Sequence, residues 1–142
     1  MTFEDDLVTL ISAAAWAGLT KPKIIAAKDE YHATQLIRKL QLAIIVQNEN
    51  VRTEYNNFYH QTKEYACKVI VSARSEAELE TTYEYLEKII GTYLQSPTAI
   101  NSTTYNALMF DTSDHTSIWG GKNPNTYDVM IYGHIFQAVP TI

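Results

Sequence analysis

The stretch Glu64-Tyr-Ala-Cys-Lys-Val-Ile-Val-Ser-Ala-Arg-Ser-Glu-Ala-Glu-Leu79 changes its hydrophobic period midway, and that change decides the fold. Tyr65, Cys67, Val69, Val71 and Ala73 alternate onto one face of an extended chain, against Lys68, Ser72 and Arg74 on the other. Ile70 breaks the alternation, so partial cover on both faces is expected. Ser75-Glu-Ala-Glu78 then spells a capping box, in which the hydroxyl and the carboxylate each satisfy a backbone N–H that the first turn leaves free. Leu79, Tyr83, Leu86, Ile90 and Tyr93 follow at helical spacing, while Glu76, Glu80, Glu84 and Glu87 fill the remaining surface. Lys88, four residues beyond Glu84, adds a favourable pair. Gly91 falls inside this helix, and Pro97 ends it. A strand thus runs straight into a long amphipathic helix.

Working outward, Phe3, Leu7, Leu10, Ile11 and Ala14 mark an N-terminal helix, with Thr2 as N-cap and Glu4, Asp5 and Asp6 at the favourable end of its dipole. Gly18 is the expected stop, before Pro22. Lys23–Ala27 is a short strand candidate, and Asp29–Leu40 stands between one or two helical turns and an excursion between strands. Leu42-Ala-Ile-Ile-Val46 is β-branched and strand-like, continuing towards Val51. The polar, Asn- and Tyr-rich Glu49–Thr62 reads as a hairpin connection or protruding loop. Thr104–Phe110 and Tyr127–Val139 are strands, separated by polar Asp111–Thr126 with its Gly120-Gly121 and Asn123-Pro124. In the last strand Val129, Ile131 and Ile135 face one way, and Met130, Tyr132 and Phe136 the other. The expected class is α+β: an antiparallel or mixed sheet with the N-terminal amphipathic helix and the second long helix packed on one face. With no repeat and no linker, residues 1–142 are expected to form a single domain.

Of 142 residues, 46% are hydrophobic and 19% charged, a globular balance. Eleven basic against sixteen acidic side chains leave a net charge of −5, which disfavours phosphate-driven nucleic-acid binding, and no sequence-specific nucleic-acid partner is expected. Lys21, Lys23, Lys28, Arg38 and Lys39 are a loose basic concentration interrupted by Asp29 and Glu30, and read as a solvated mixture. One cysteine excludes an intrachain disulfide and a multi-cysteine zinc site; Cys67, in an apolar run, reads as a small buried hydrophobe. The acidic N-terminus lacks the basic start of a secretory signal, and apolar Leu7–Leu19 is too short to span a bilayer. The expectation is a cytoplasmic protein without a membrane.

Asp111-Thr-Ser-Asp114-His115 is the one local cluster of carboxylates and an imidazole, and ion binding or base catalysis is weighed there against ordinary turn hydrogen bonding. No second ligand cluster accompanies it. His32, His60 and His134 stand alone, and the serines lack the surround of a nucleophile elbow. The five glycines build no phosphate loop or dinucleotide fingerprint. Neither catalysis nor a cofactor nor a metal is expected.

Aromatic residues are the remaining lead. Among ten tyrosines, Tyr55 and Tyr59 crowd with Phe58 into one polar segment, and Trp119 sits beside Gly120-Gly121. Such rings bring large contact area with few rotors and concentrate where proteins touch. Two readings stand side by side: the rings fold back over the sheet edge, or they face outward to be held by other subunits. Tyr55, Phe58, Tyr59 and Trp119 are therefore the candidate partner-binding residues.

The order of elements resembles the tail terminator (tail-completion) proteins of long-tailed phages and related archaeal viruses. The likeness is carried by Glu64–Leu79 with the helix after it and by the closing strand Tyr127–Val139. It is one of pattern across most of the chain. Two features depart from it: the long Asp111–Thr126 segment and the unplaced Asp29–Leu40. The resemblance implies a virion protein, assembled in the host cytoplasm, that forms a homo-oligomeric ring, commonly a hexamer. Such a ring caps the tail tube and joins it to the head connector, with no catalysis. The alternative is a stand-alone ligand-binding or regulatory domain, dimeric through a sheet edge, with tyrosines lining a pocket. Third comes a small hydrolase or nuclease using Asp111, Asp114 and His115.

Overall fold

Residues 2–115 and 125–140 are described by a computed structural model, apart from the side chains of residues 48–50 and 112–115. The chain runs α1 (Phe3–Ala13), β1 (Lys23–Ala27), α2 (Glu30–Lys39), β2 (Ala43–Tyr55), β3 (His60–Ala73), α3 (Glu76–Gln95), β4 (Ala107–His115) and β5 (Asn125–Ala138). The strands form one five-stranded sheet in the order β1-β2-β3-β5-β4. β1 and β2 pair in parallel across the α2 crossover, and the other pairs are antiparallel, so the sheet is mixed and the class α+β.

The alternation in β3 sorts the core into two layers. Cys67, Val69, Val71 and Ala73 meet Phe3, Leu7 and Ile11 of α1 and Leu79, Leu86 and Ile90 of α3 in the larger cluster. Both helices therefore cover one face, as the helical spacing predicts. Ile70 points the other way and joins Ile45, Ala43, Ala33, Leu36 and Ile37 in a smaller cluster beneath α2. The residue that breaks the alternation is the one that the third helix buries. Asp29–Leu40 is thus a helix in its own right, with the Asp29 carboxylate accepting the His32 N–H at 2.8 Å as N-cap.

Local details depart from the sequence reading in four places. α1 has its capping box, Thr2 Oγ1 with the Asp5 N–H and Asp5 Oδ2 with the Thr2 N–H, but stops at Ala13 rather than at Gly18. Gly18 instead serves the turn after it, at φ +77°. At α3, Ser75 Oγ accepts the Glu78 N–H, yet the Glu78 carboxylate reaches one residue further back. It accepts the Arg74 N–H at 3.1 Å and also pairs with the Arg74 guanidinium. That guanidinium holds the Glu78 carboxyl below its usual range. Glu49–Thr62 is chiefly strand: β2 runs to Tyr55, β3 restarts at His60, and only the turn between them is loop. Likewise β4 continues through His115, so Asp111–His115 is strand rather than the start of a polar loop.

Candidate functional site

β2, β3 and β5 run on together to the far end of the sheet, where Tyr55 pairs with Gln61 and Gln61 with Gln137. This end is an arm whose hairpin tip is tied down by hydrogen bonds. Asn57 Oδ1 accepts the N–H groups of Tyr59 and His60 at 2.8 and 2.9 Å, and the His60 carbonyl accepts the Asn56 N–H at 3.0 Å. The Thr62 hydroxyl donates to Asn56 Oδ1 at 2.8 Å. The Val139 N–H reaches the Tyr59 carbonyl at 2.8 Å, tying the end of β5 to the tip. Asn57 suits this tight turn because its side chain supplies hydrogen bonds that a regular ladder would otherwise make.

On that braced tip Tyr55, Phe58 and Tyr59 are 68%, 93% and 76% exposed. The three rings face outward, and the alternative of rings folded over the sheet edge does not hold for them. Trp119 lies outside the described residues. Val51 on β2 and Phe136 on β5 lie along the same arm and are also largely exposed, while the exposed Met109 sits on β4 opposite Tyr132, nearer the middle of the sheet. Apart from Tyr31, Leu94 and Met109, the exposed large hydrophobic side chains among the described residues all belong to this arm. Val51, Met109 and Phe136 were not among the predicted contact residues. For Phe136 a signal existed, since it alternates onto the face opposite Val129 and Ile131.

The arm carries charge as well as rings. Arg52 lies 3.3 Å from Glu64, which lies 3.0 Å from His134 Nε2, and the His134 ring stacks on Phe136 at 6.5 Å. A tip pocket of about 440 Å³ is lined by Asn56, His60, Gln61, Thr62, Phe136 and Gln137.

A second concavity lies on the helical layer. The C-terminal end of α1 and the C-terminal half of α3 frame an open groove of about 650 Å³, lined by Leu10, Ala13, Ala14, Tyr85, Ile89 and Tyr93 among others. Lys88 is its one charged lining residue. The Trp16 ring lies 4.5 Å from that of Tyr85, whose hydroxyl accepts the Trp16 N–H at 3.0 Å and so fixes the chain leaving α1.

Between arm and groove sits a buried polar knot. The Asp6 carboxylate, 1% exposed, accepts from the Tyr105 hydroxyl and from Asn101 Nδ2. The Tyr93 hydroxyl accepts the Tyr105 N–H at 2.8 Å. Burial, reinforced by Asp6, holds the Tyr105 hydroxyl protonated well beyond the ordinary tyrosine range. Burial, with Glu87 nearby, likewise pushes Tyr83 up to about 12. The Tyr105 and Tyr93 hydroxyls are thus held as fixed hydrogen-bonding groups.

The other sequence candidates are scattered. Asp111 is exposed on β4, and the side chains of Asp114 and His115 lie outside the description. Among the described residues no group of three or more His, Cys, Asp or Glu is placed to hold a metal ion. His32 Nδ1 accepts the Lys28 N–H, His60 sits in the tip turn, and Cys67 is fully buried. Among the described residues no helix is long and apolar enough to cross a membrane. Compared with known proteins, the chain matches no protein-family model and no curated protein.

Proposed function

We propose that this protein is a structural assembly subunit that binds copies of itself in a closed ring, of the kind that caps a phage tail tube and meets the head connector. The observation that carries this reading is the braced arm tip with Tyr55, Phe58 and Tyr59 turned to solvent. Leaving three large rings in water costs free energy that burial against a partner returns, and a tip locked by its own hydrogen bonds loses little entropy on docking. Isolated exposed hydrophobics are ordinary; a cluster at one end of a sheet marks a contact surface.

Charge fits the same reading. Glu76, Glu80, Glu84 and Glu87 are all exposed on α3, and the net charge is −5, so a DNA strand passing such a ring would not be held by it. Light scattering on the eluting protein across a concentration series tests the proposal. A single species at a fixed multiple of 16.1 kDa, larger than a dimer, is expected. A monomer at every concentration, or a dimer that grows no further, overturns it in favour of a stand-alone domain.

A further inference from the structure

Resting on that reading, the geometry points to the partner surface of the arm: we propose that the tip of one copy seats in the α1–α3 groove of the next. Tip and groove are different surfaces of one chain, one at the end of the sheet and the other on its helical layer. A contact between them is therefore heterologous, and repetition of a heterologous contact produces a closed ring when the rotation permits. A tip-to-tip contact would be isologous and would stop at two copies.

Size and chemistry match. Each aromatic ring brings about 150–250 Å² of contact, so Tyr55, Phe58 and Tyr59 together bring roughly 450–750 Å². That approaches the ~800 Å² per partner of a stable interface. The groove, at about 650 Å³, falls within the ~300–1,000 Å³ range of pockets that enclose a ligand of several rings. Beside the polar Lys88, Thr92 and Ser96, its walls offer the small or apolar Ala13, Ala14, Leu10 and Ile89, with the rings of Tyr85 and Tyr93 available for edge-to-face contact.

The polar requirement also agrees. Two helix C-termini meet at the groove, and neither carries a basic residue within its own last turn. Within α1, the Ile11 carbonyl takes the Trp16 indole N–H and the Ser12 carbonyl takes Lys21. Leu10, Ala13 and Ala14 bring the C-terminal end of α1 to the groove wall. The groove thus takes an aromatic body that carries a hydroxyl donor, which is what Tyr55 and Tyr59 present on either side of Phe58.

Complementation between two defective chains tests this. Phe58→Asp removes the anchor and Ala13→Arg fills the groove; both positions are exposed, and circular dichroism and thermal unfolding should match those of the wild type. Each variant alone is expected to run as a monomer. An equimolar mixture is expected to give one complex of twice the monomer mass, since one intact tip and one intact groove remain. In parallel, a photoreactive benzoylphenylalanine at position 58 should crosslink to residues 10–15 or 85–96 of another copy. If the wild type forms rings and Ala13→Arg does too, or the mixture stays monomeric, or the crosslinks map elsewhere, the groove assignment is wrong while self-assembly stands. If the wild type never associates, the proposed function itself falls.

Discussion

Gly133 fixes where α1 sits on the sheet, and its replacement by alanine offers a sharp test of the packing. It lies in β5 opposite Tyr65 and Leu108, beneath the start of α1. A Cβ there would stand 2.6 and 2.9 Å from two ring carbons of Phe3 and 3.1 Å from the Tyr105 ring. Phe3 has little room to yield: it is 3% exposed, and its ring centre lies 5.9 Å from Tyr65 and 5.2 Å from Tyr105. Overpacking of this kind costs roughly 1–3 kcal/mol, offset in part by the ~0.4–1 kcal/mol that alanine gains by restricting the unfolded chain. Gly133→Ala should therefore destabilise by about 1–2 kcal/mol, a fall of about 0.5–1 M in the urea midpoint at an unchanged slope. The clash is with the far edge of Phe3, so in a Phe3→Leu background the added methyl should cost less than half as much. Equal penalties in both backgrounds, or no penalty in the wild type, would refute the placement of α1 over Gly133.

Other outcomes follow from the same structure. Tyr105→Phe strips one donor from the buried Asp6 carboxylate and should cost about 1–3 kcal/mol by denaturant unfolding, whereas Tyr59→Phe at the exposed tip should cost almost nothing. Ile37→Ala, at a fully buried position in the small cluster under α2, should cost about 2–5 kcal/mol; a surface-like value would mean that α2 does not pack on Ile70 and Ile45. Burial raises the Asp128 carboxyl above its usual range despite Lys68 at 3.7 Å, so its ionised form destabilises the fold at neutral pH. As pH falls through that raised value the folded state takes up a proton before the unfolded state does. Wild type should accordingly gain stability relative to Asp128→Asn, and a difference flat with pH would exclude the effect.

What the sequence revealed tracks where a core imposes a pattern. The switch of period at Ser75 was legible because β3 and α3 bury one face each, so burial writes a period of two and then of 3.6 into the residues. α2 was ambiguous because its cluster is small: it covers Ala27, Ala43, Ile45 and Ile70, and needs only Ala33, Leu36 and Ile37 as buried positions. Asp29 as N-cap and the steps Ala33, Leu36, Ile37, Leu40 were the signal that could have settled it. The arm read as loop for the opposite reason. Residues 51–60 are exposed throughout, so no buried face forces alternation, and pairing with β3 holds the end of β2 through its backbone. The groove could not be read at all, since Ala13 and Ile89 come together only through packing of α1 beside α3.

Electron microscopy of the purified wild-type protein beside Phe58→Asp goes most directly to the central claim. Class averages of the wild type should show closed rings with the arm tips at the boundaries between subunits, and the variant should show single small particles. Separate particles for both proteins at the highest usable concentration, or rings that survive Phe58→Asp, would contradict it.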